Sequence, residues 1–388
     1  MEVKAPLASV PPSGSLAASS GEDRIWFAQM LRGIAALTVV YFHLGELFWV
    51  DNEFVAKFSY LHPIALKSKP LYIFLTGWLG HNRIELGDFG VALFFLISGF
   101  VIPFSIFKVG NAKFLLRRCL RIYPTYIVGL SFTTLVILLE CHLNNLPVNF
   151  TARDFLANAT LTFDIFPCDT IDKVNWTLIT EMRFYLLCIL LNSVSSLRNP
   201  FALAFAALLL CGSNFLLPWA SSTASPFLIT LVSLLGHYSP YLIFMFIGVG
   251  FHNLFQSTWP LAWFLLVGAL LLGLFYTSAF AIPSHNWVQR LVRGYTLALA
   301  VFSLVYLFRH RLKPHPVLNF FAEISFPLYV IHGLAGYALL TFLFNLHPFS
   351  LLNLAETVVI FIFLSYLLHV YVEVPTNRLG HLLTKKKT

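Results

Sequence analysis

Ten apolar stretches of membrane-spanning length follow one another along the chain, and they leave few folds open. They fall near residues 25–49, 87–107, 117–140, 175–192, 199–218, 238–255, 259–280, 288–308, 320–346 and 350–374. Of 388 residues, 58% are hydrophobic and only 11% charged, with a mean hydropathy of +0.78. A soluble globular core is excluded, and an all-α polytopic membrane protein is expected. The runs are broken by Gly, Pro and polar residues instead of alternating at period two, which argues against an outer-membrane barrel. The run that starts at Pro226, PFLITLVSLLG, is too short to span and reads as re-entrant or interfacial.

Basic residues set an orientation. Lys108, Lys113, Arg117, Arg118 and Arg121 flank the loop between the second and third spans, and Arg309, Arg311 and Lys313 follow the eighth. The positive-inside rule then places both termini in the cytoplasm. The loop over 141–174 carries Asp154, Asp164, Asp169 and Asp172 and suits the outside, whereas Lys57, Lys67, Lys69 and Arg83 in the first outer loop run against that sense. Residues 1–24 are rich in Ala, Ser and Pro without the apolar core of a cleavable signal, as in a disordered cytoplasmic tail. The expected organisation is that tail, a transmembrane domain over 25–380 and a basic cytoplasmic tail over 381–388. The net charge of +8 is spread over a few loops, with no patch long enough for nucleic acid.

Charge inside a membrane helix is costly and usually lies in a protein interior or a water-filled path. Arg32 and His43 stand in the first span, eleven residues apart. At about 100° per residue they share one face, roughly 16 Å apart along the axis. Glu46, three residues past His43, is placed to orient its ring or raise its basicity. Glu181 and Tyr185 share a face of the fourth span, with Arg183 pointing elsewhere, and Ser325, Tyr329 and His332 form a polar stripe in the ninth. At similar depth, His43, Glu181, Arg183 and His332 are candidates for one cavity. Taken singly, Arg32 is also suited to snorkelling toward headgroups, and a membrane histidine to helix packing. His369 and Glu356 read as structural.

Lys113 to Pro124, KFLLRRCLRIYP, lies where the third span enters from the cytoplasm. Guanidinium groups bind phosphate bidentately, so Arg117, Arg118 and Arg121 suit a phosphate-rich donor as well as a positive-inside anchor. The five cysteines make no metal pattern. Cys141 and Cys168, both in the outer loop, could pair in an oxidising compartment. Sequons at Asn149, Asn158 and Asn175 lie in the same region, with no meaning in a bacterial chain.

Together these motifs resemble membrane acyltransferase family 3, the bacterial O-acyltransferases of envelope polysaccharides, from Leu31 to about Leu379. LRGIAALTVVYFHL resembles its opening helix, GVALFFLISGFVIP its second-helix signature and RRCLRIYP its arginine cluster. NWTLITEMRFYLL resembles its Trp, Ser/Thr, Leu, then Glu and Phe-Tyr pattern, and ISFPLYVIHG with YVEVPTNRL its last two helices. Ala92 stands where many members carry an acidic residue, so that role is absent or passes to Asp88. No room is expected after the tenth span for the fused esterase-like domain of some members.

The resemblance implies transfer of an acyl group, most often acetyl, from cytoplasmic acetyl-CoA to a glycan hydroxyl at the outer face of the plasma membrane. No permanently bound cofactor or metal is implied. Arg117, Arg118 and Arg121 would hold donor phosphates and Arg32 the donor farther in. His43 would act as general base, with Glu46 or Glu181 stabilising its imidazolium, and an acyl-histidine route stays open. Asp88, Trp176, Arg183, Tyr185, Tyr329 and His332 are the candidate substrate contacts. Ser98 lacks a nucleophile elbow and suits close helix or donor approach. The competing readings are a proton-coupled transporter of a lipid or sugar, with His43, Glu181 and His332 as a relay, and a receptor or scaffold.

Overall fold

With no water in hydrocarbon, a spanning segment must satisfy its backbone internally, and the described part of this chain does so entirely with helices. A computed structural model describes residues 25–64, 70, 73, 86–166, 168–223, 225–282 and 285–385. The 1–24 segment, Lys67, Lys69, Arg83 and the last three residues of the basic tail lie outside the described residues. The helices are α1 (Trp26–Val50), α2 (Asn52–Ser59), α3 (Leu86–Val109), α4 (Asn111–Leu143), α5 (Ala152–Ala159), α6 (Trp176–Val194) and α7 (Pro200–Thr223). They continue as α8 (Pro226–Phe255), α9 (Leu261–Phe280), α10 (His285–Leu307), α11 (Pro316–Glu323), α12 (Ser325–Ile331), α13 (Leu334–Leu346) and α14 (Ser350–Leu383).

Eight of these, α1, α3, α4, α6, α8, α9, α10 and α14, are long and apolar enough to cross a membrane. The bent pair α12–α13 is a ninth if taken as one span, and α7 contributes a shorter apolar stretch, Pro200–Leu216. Every stretch expected from hydropathy is therefore a helix. Three details differ from the sequence reading. The Pro226 run is not separate but forms the first part of the 30-residue α8, because its polar positions Ser233 and His237 face a cleft beneath the outer loop instead of ending the helix. The helix expected over 320–346 is divided, and α12 and α13 meet at 65°. Residues Tyr41–Leu47 of α1 and His369–Glu373 of α14 are wound as π-helix, a distortion that concentrates at functional sites.

The centre of the bundle is α3, against which α1, α8 and α10 pack. Its backbone nearly touches that of α8: a Cβ built on Gly99 would lie 2.0 Å from the Met245 carbonyl oxygen and 3.0 Å from Gly248 Cα. Glycine is what permits this crossing. Phe27, Phe100, Phe251 and Phe302 interlock their rings across α1, α3, α8 and α10. On the other side, α4 packs on α12, α13 and the end of α14. Leu135, Leu139 and Leu143 of α4 and Leu186, Leu190 and Val194 of α6 are exposed at i, i+4 and i+8, an apolar stripe suited to lipid.

The 141–174 loop, expected on the outside and called the outer loop for that reason, folds over α6. Asn158 and Asn175 are fully buried, and the Asn158 amide joins the carbonyls of Asp154 and Asp169 to Ile171 N–H and the Asn175 side chain. Two of the three sequons are thus internal polar joints. Asp172 accepts from Asn175 N–H at 3.2 Å, and burial pushes its carboxyl up to about 6. All five cysteines are free thiols, so Cys141 and Cys168 form no disulfide, and Cys141 sits against the Pro147 carbonyl.

Candidate functional site

His43 lies in the π-helical segment of α1, and its Nδ1 stands 3.0 Å from the Val39 carbonyl oxygen and 3.0 Å from Nε2 of His332. His332 follows the last residue of α12, at the bend before α13. Its Nδ1 faces two carbonyl oxygens, Leu328 at 2.8 Å and Tyr329 at 2.9 Å. A nitrogen held between two acceptors must carry the proton, so Nε2 of neutral His332 is an acceptor. His43 then donates from Nδ1, and its own Nε2 carries a basic lone pair with no hydrogen-bond partner among the described residues. Backbone carbonyls thereby fix the tautomers of both rings. Phe42, Tyr329 and Tyr337 pack their rings around the pair.

Glu181 does not sit on the His43 ring. Its Oε1 accepts from Ser98 Oγ at 3.2 Å and from the Tyr185 hydroxyl, and Arg32, Arg118 and Tyr329 lie within its electrostatic reach. It stands between the histidine pair and a basic interior. Arg118 is buried, with its guanidinium 5.2 Å from the Phe114 ring centre and 5.4 Å from that of Tyr185. Arg121 approaches the buried Glu373 at 3.9 Å, and Glu373 in turn holds His369 Nδ1 at 2.7 Å. Arg32 interacts electrostatically with Arg121, Glu373 and Glu181. The three clustered arginines thus part company: Arg118 and Arg121 point into the bundle, while Arg117 donates to Thr384 Oγ1 at 2.6 Å and ties α4 to α14.

The other candidates fall into two groups. Tyr329 bridges toward the outer loop, accepting from Thr177 Oγ1 at 2.7 Å and donating to the Val174 carbonyl at 3.2 Å. Trp176 packs on Tyr241 and Phe95 and lines a cleft of about 570 Å³ with Lys173, Asn175, Asp164, His237 and Tyr238. Arg183 leaves the Glu181 group altogether. It pairs with Asp164 at 2.7 Å over the Tyr238 ring, and Tyr238 donates to the same carboxylate. Asp88 lies beside Gly294 of α10 and in the field of Tyr241 and Tyr295. Glu46 is in the π-helical segment with His43, whose Nδ1 meets Val39 and His332.

Two contacts lie beyond the sequence reading, which gives Ser98 to close helix or donor approach and Glu373 only to the closing motif. Glu373 has a local signal in its position four residues after His369, an i,i+4 pair inside an apolar run. Ser98 has none, because only the packing of α3 on α6 brings it to Glu181.

A bundle of helices long and apolar enough to cross a membrane, with buried arginines and a histidine pair in its interior, defines a multi-pass membrane protein. The sequence model of the acyltransferase domain matches residues 25–373, and the chain belongs to that family, acyltransferase family 3. Searches of curated proteins and of solved structures gave no match.

Proposed function

We propose that the protein is a plasma-membrane O-acyltransferase, both termini cytoplasmic, that moves an acyl group, acetyl first among them, from acyl-CoA to a hydroxyl of an envelope or secreted glycan. Acyl-CoA is a co-substrate, and no permanently bound cofactor or metal takes part. The observation that carries this reading is the basic Nε2 of His43, left free because the Val39 carbonyl and His332 Nε2 both hold the proton on Nδ1. Such a nitrogen takes the proton of a hydroxyl as that oxygen attacks the thioester carbonyl, and returns it to the departing thiolate.

The donor arrives from the basic side. Arg32, Arg118 and Arg121 converge on Glu181 and Glu373, so three guanidinium groups face two carboxylates and an excess of positive charge is held for phosphate. Tyr185 and Ser98 hold Glu181 beside that excess. Arg117 is the outermost of the set, anchored on Thr384. The acceptor side is the cleft under the 141–174 loop, where the Trp176 ring offers an apolar face and Lys173 and His237 add polar groups to the lining. The 174–177 segment links this cleft to Tyr329, the neighbour of His332.

The test is transfer of label from radiolabelled acetyl-CoA to glycans in inverted vesicles, comparing wild type with His43→Ala at matched expression. Loss of about 10²–10⁴-fold with acetyl-CoA binding retained is the expected result. Unchanged transfer in the variant would sink the proposal.

A further inference from the structure

The His43–His332 contact joins residues 289 apart in sequence, and its second partner is unusually well fixed. His332 is fully buried. Both of its nitrogens are used, Nδ1 on the carbonyls of Leu328 and Tyr329 and Nε2 on His43 Nδ1. The two carbonyls lie one turn back in α12, and the chain bends by 65° immediately after His332, at Gly333. A helix running straight through 320–346 is not what the chain builds, and the break falls beside the residue whose ring nitrogen meets His43.

We propose that His332 is a positioning residue that acts through His43: together with the Val39 carbonyl it holds the His43 ring with Nε2 as the basic nitrogen, and it takes a share of the proton that His43 collects. This rests on acyl transfer at His43 as read above. In the resting pair, His332 Nδ1–H is held by the two carbonyls, His43 Nδ1–H points at His332 Nε2, and His43 Nε2 faces the reaction. When the acceptor oxygen forms its bond to the acyl carbon, its O–H bond breaks and the proton goes to His43 Nε2. The Nδ1 proton of His43 shifts across the 3.0 Å gap toward His332 Nε2, which spreads the positive charge over both rings. The Leu328 and Tyr329 carbonyl oxygens stabilise that charge on His332. Collapse breaks the acyl–sulfur bond, the Nδ1 proton returns, and His43 Nε2–H protonates the thiolate. The sum is an alcohol and a thioester giving an ester and a thiol, with no proton left over. The pair does the work that a carboxylate–histidine couple does elsewhere, with a neutral second group that is less costly to bury than a carboxylate.

Other titratable groups bear on the pair. Tyr329 from α12 and Tyr337 from α13 pack against the rings, and Glu46 stands three residues along α1.

The experiment compares His332→Ala, His332→Gln and His43→Ala in full-length protein, reading kcat and KM across pH with and without added imidazole. Glutamine can accept from His43 Nδ1–H and donate to the carbonyls, so it keeps the tautomer but cannot take a proton. His332→Ala is expected to lower kcat by about 10²-fold or more with KM for acetyl-CoA little changed, and imidazole entering the vacated space is expected to restore part of it. His332→Gln is expected to fall between Ala and wild type, with a kcat–pH profile that is displaced from the wild-type one. Wild-type kcat in both His332 variants, alongside an inactive His43→Ala, overturns the inference and leaves the reading of His43 intact. So does equal loss in both, with melting temperature unchanged and no response to imidazole. An active His43→Ala instead removes the reading on which the inference stands.

Discussion

A single methyl group at the crossing of α3 and α8 should tell whether close backbone packing holds this bundle together. In Gly99→Ala the new Cβ would lie 2.0 Å from the Met245 carbonyl oxygen, where ordinary contact begins at 3.4 Å, so the helices must part by 3.4 − 2.0 = 1.4 Å along that line. Both contacts are backbone, so no rotamer change relieves them. A gap of 0.5–1 Å already forfeits about a quarter to a half of a van der Waals well, and overpacking costs about 1–3 kcal/mol, at times more. We expect at least the upper part of that range, because α3 also packs on α1 and α10 and cannot shift alone. The control is Gly268→Ala on α9, where nothing lies within 4 Å of the built Cβ. There alanine should be neutral or stabilising by up to about 1 kcal/mol. Thermal unfolding of detergent-solubilised protein reads both. A Gly99→Ala melting temperature equal to or above that of Gly268→Ala would refute the reasoning.

Asp172 supplies a pH signature outside the membrane. Its folded value of about 6 lies above the ordinary 3.8, so the folded state holds the extra proton between those values. Stability from this group is full below pH 4 and falls as pH rises through 6, by a total on the order of 3 kcal/mol. Asp172→Asn keeps the acceptor for Asn175 N–H and should raise the melting temperature at pH 7 but not at pH 4. Equal shifts at both would count against burial as the cause. Asn158→Ala removes four hydrogen bonds from a fully buried joint and strands Ile171 N–H and one of the two Asn175 amide N–H donors, the other staying on the Tyr126 hydroxyl. At about 1–3 kcal/mol per orphaned group, the loss should exceed 2 kcal/mol by denaturant titration, and a loss under 1 would contradict the assignment.

Composition and hydropathy suffice to read a bundle of membrane helices, and spacing to single out Arg32, His43, Glu181 and His332 inside it, whereas ten apolar stretches become eight helices of spanning length among the described residues, or nine with the bent pair. Hydropathy and spacing are local properties and survive any arrangement of the helices. The divided ninth span and the continuous α8 were not legible, because both depend on what covers a polar residue: carbonyls and His43 for His332, the cleft for Ser233 and His237. Helical phase put Arg183 off the Glu181 face, but only the outer loop could say that Asp164 receives it. Likewise three arginines within five residues look alike in sequence, and only the positions of Glu373, Thr384 and Tyr185 send them to different partners. Spacing alone points to Glu46, three residues from His43, whereas the fold adds a second imidazole from 289 residues along the chain. A helix fixes its own faces, but which faces meet is decided by shape, at glycine crossings such as Gly99–Gly248 and at bends such as Gly333.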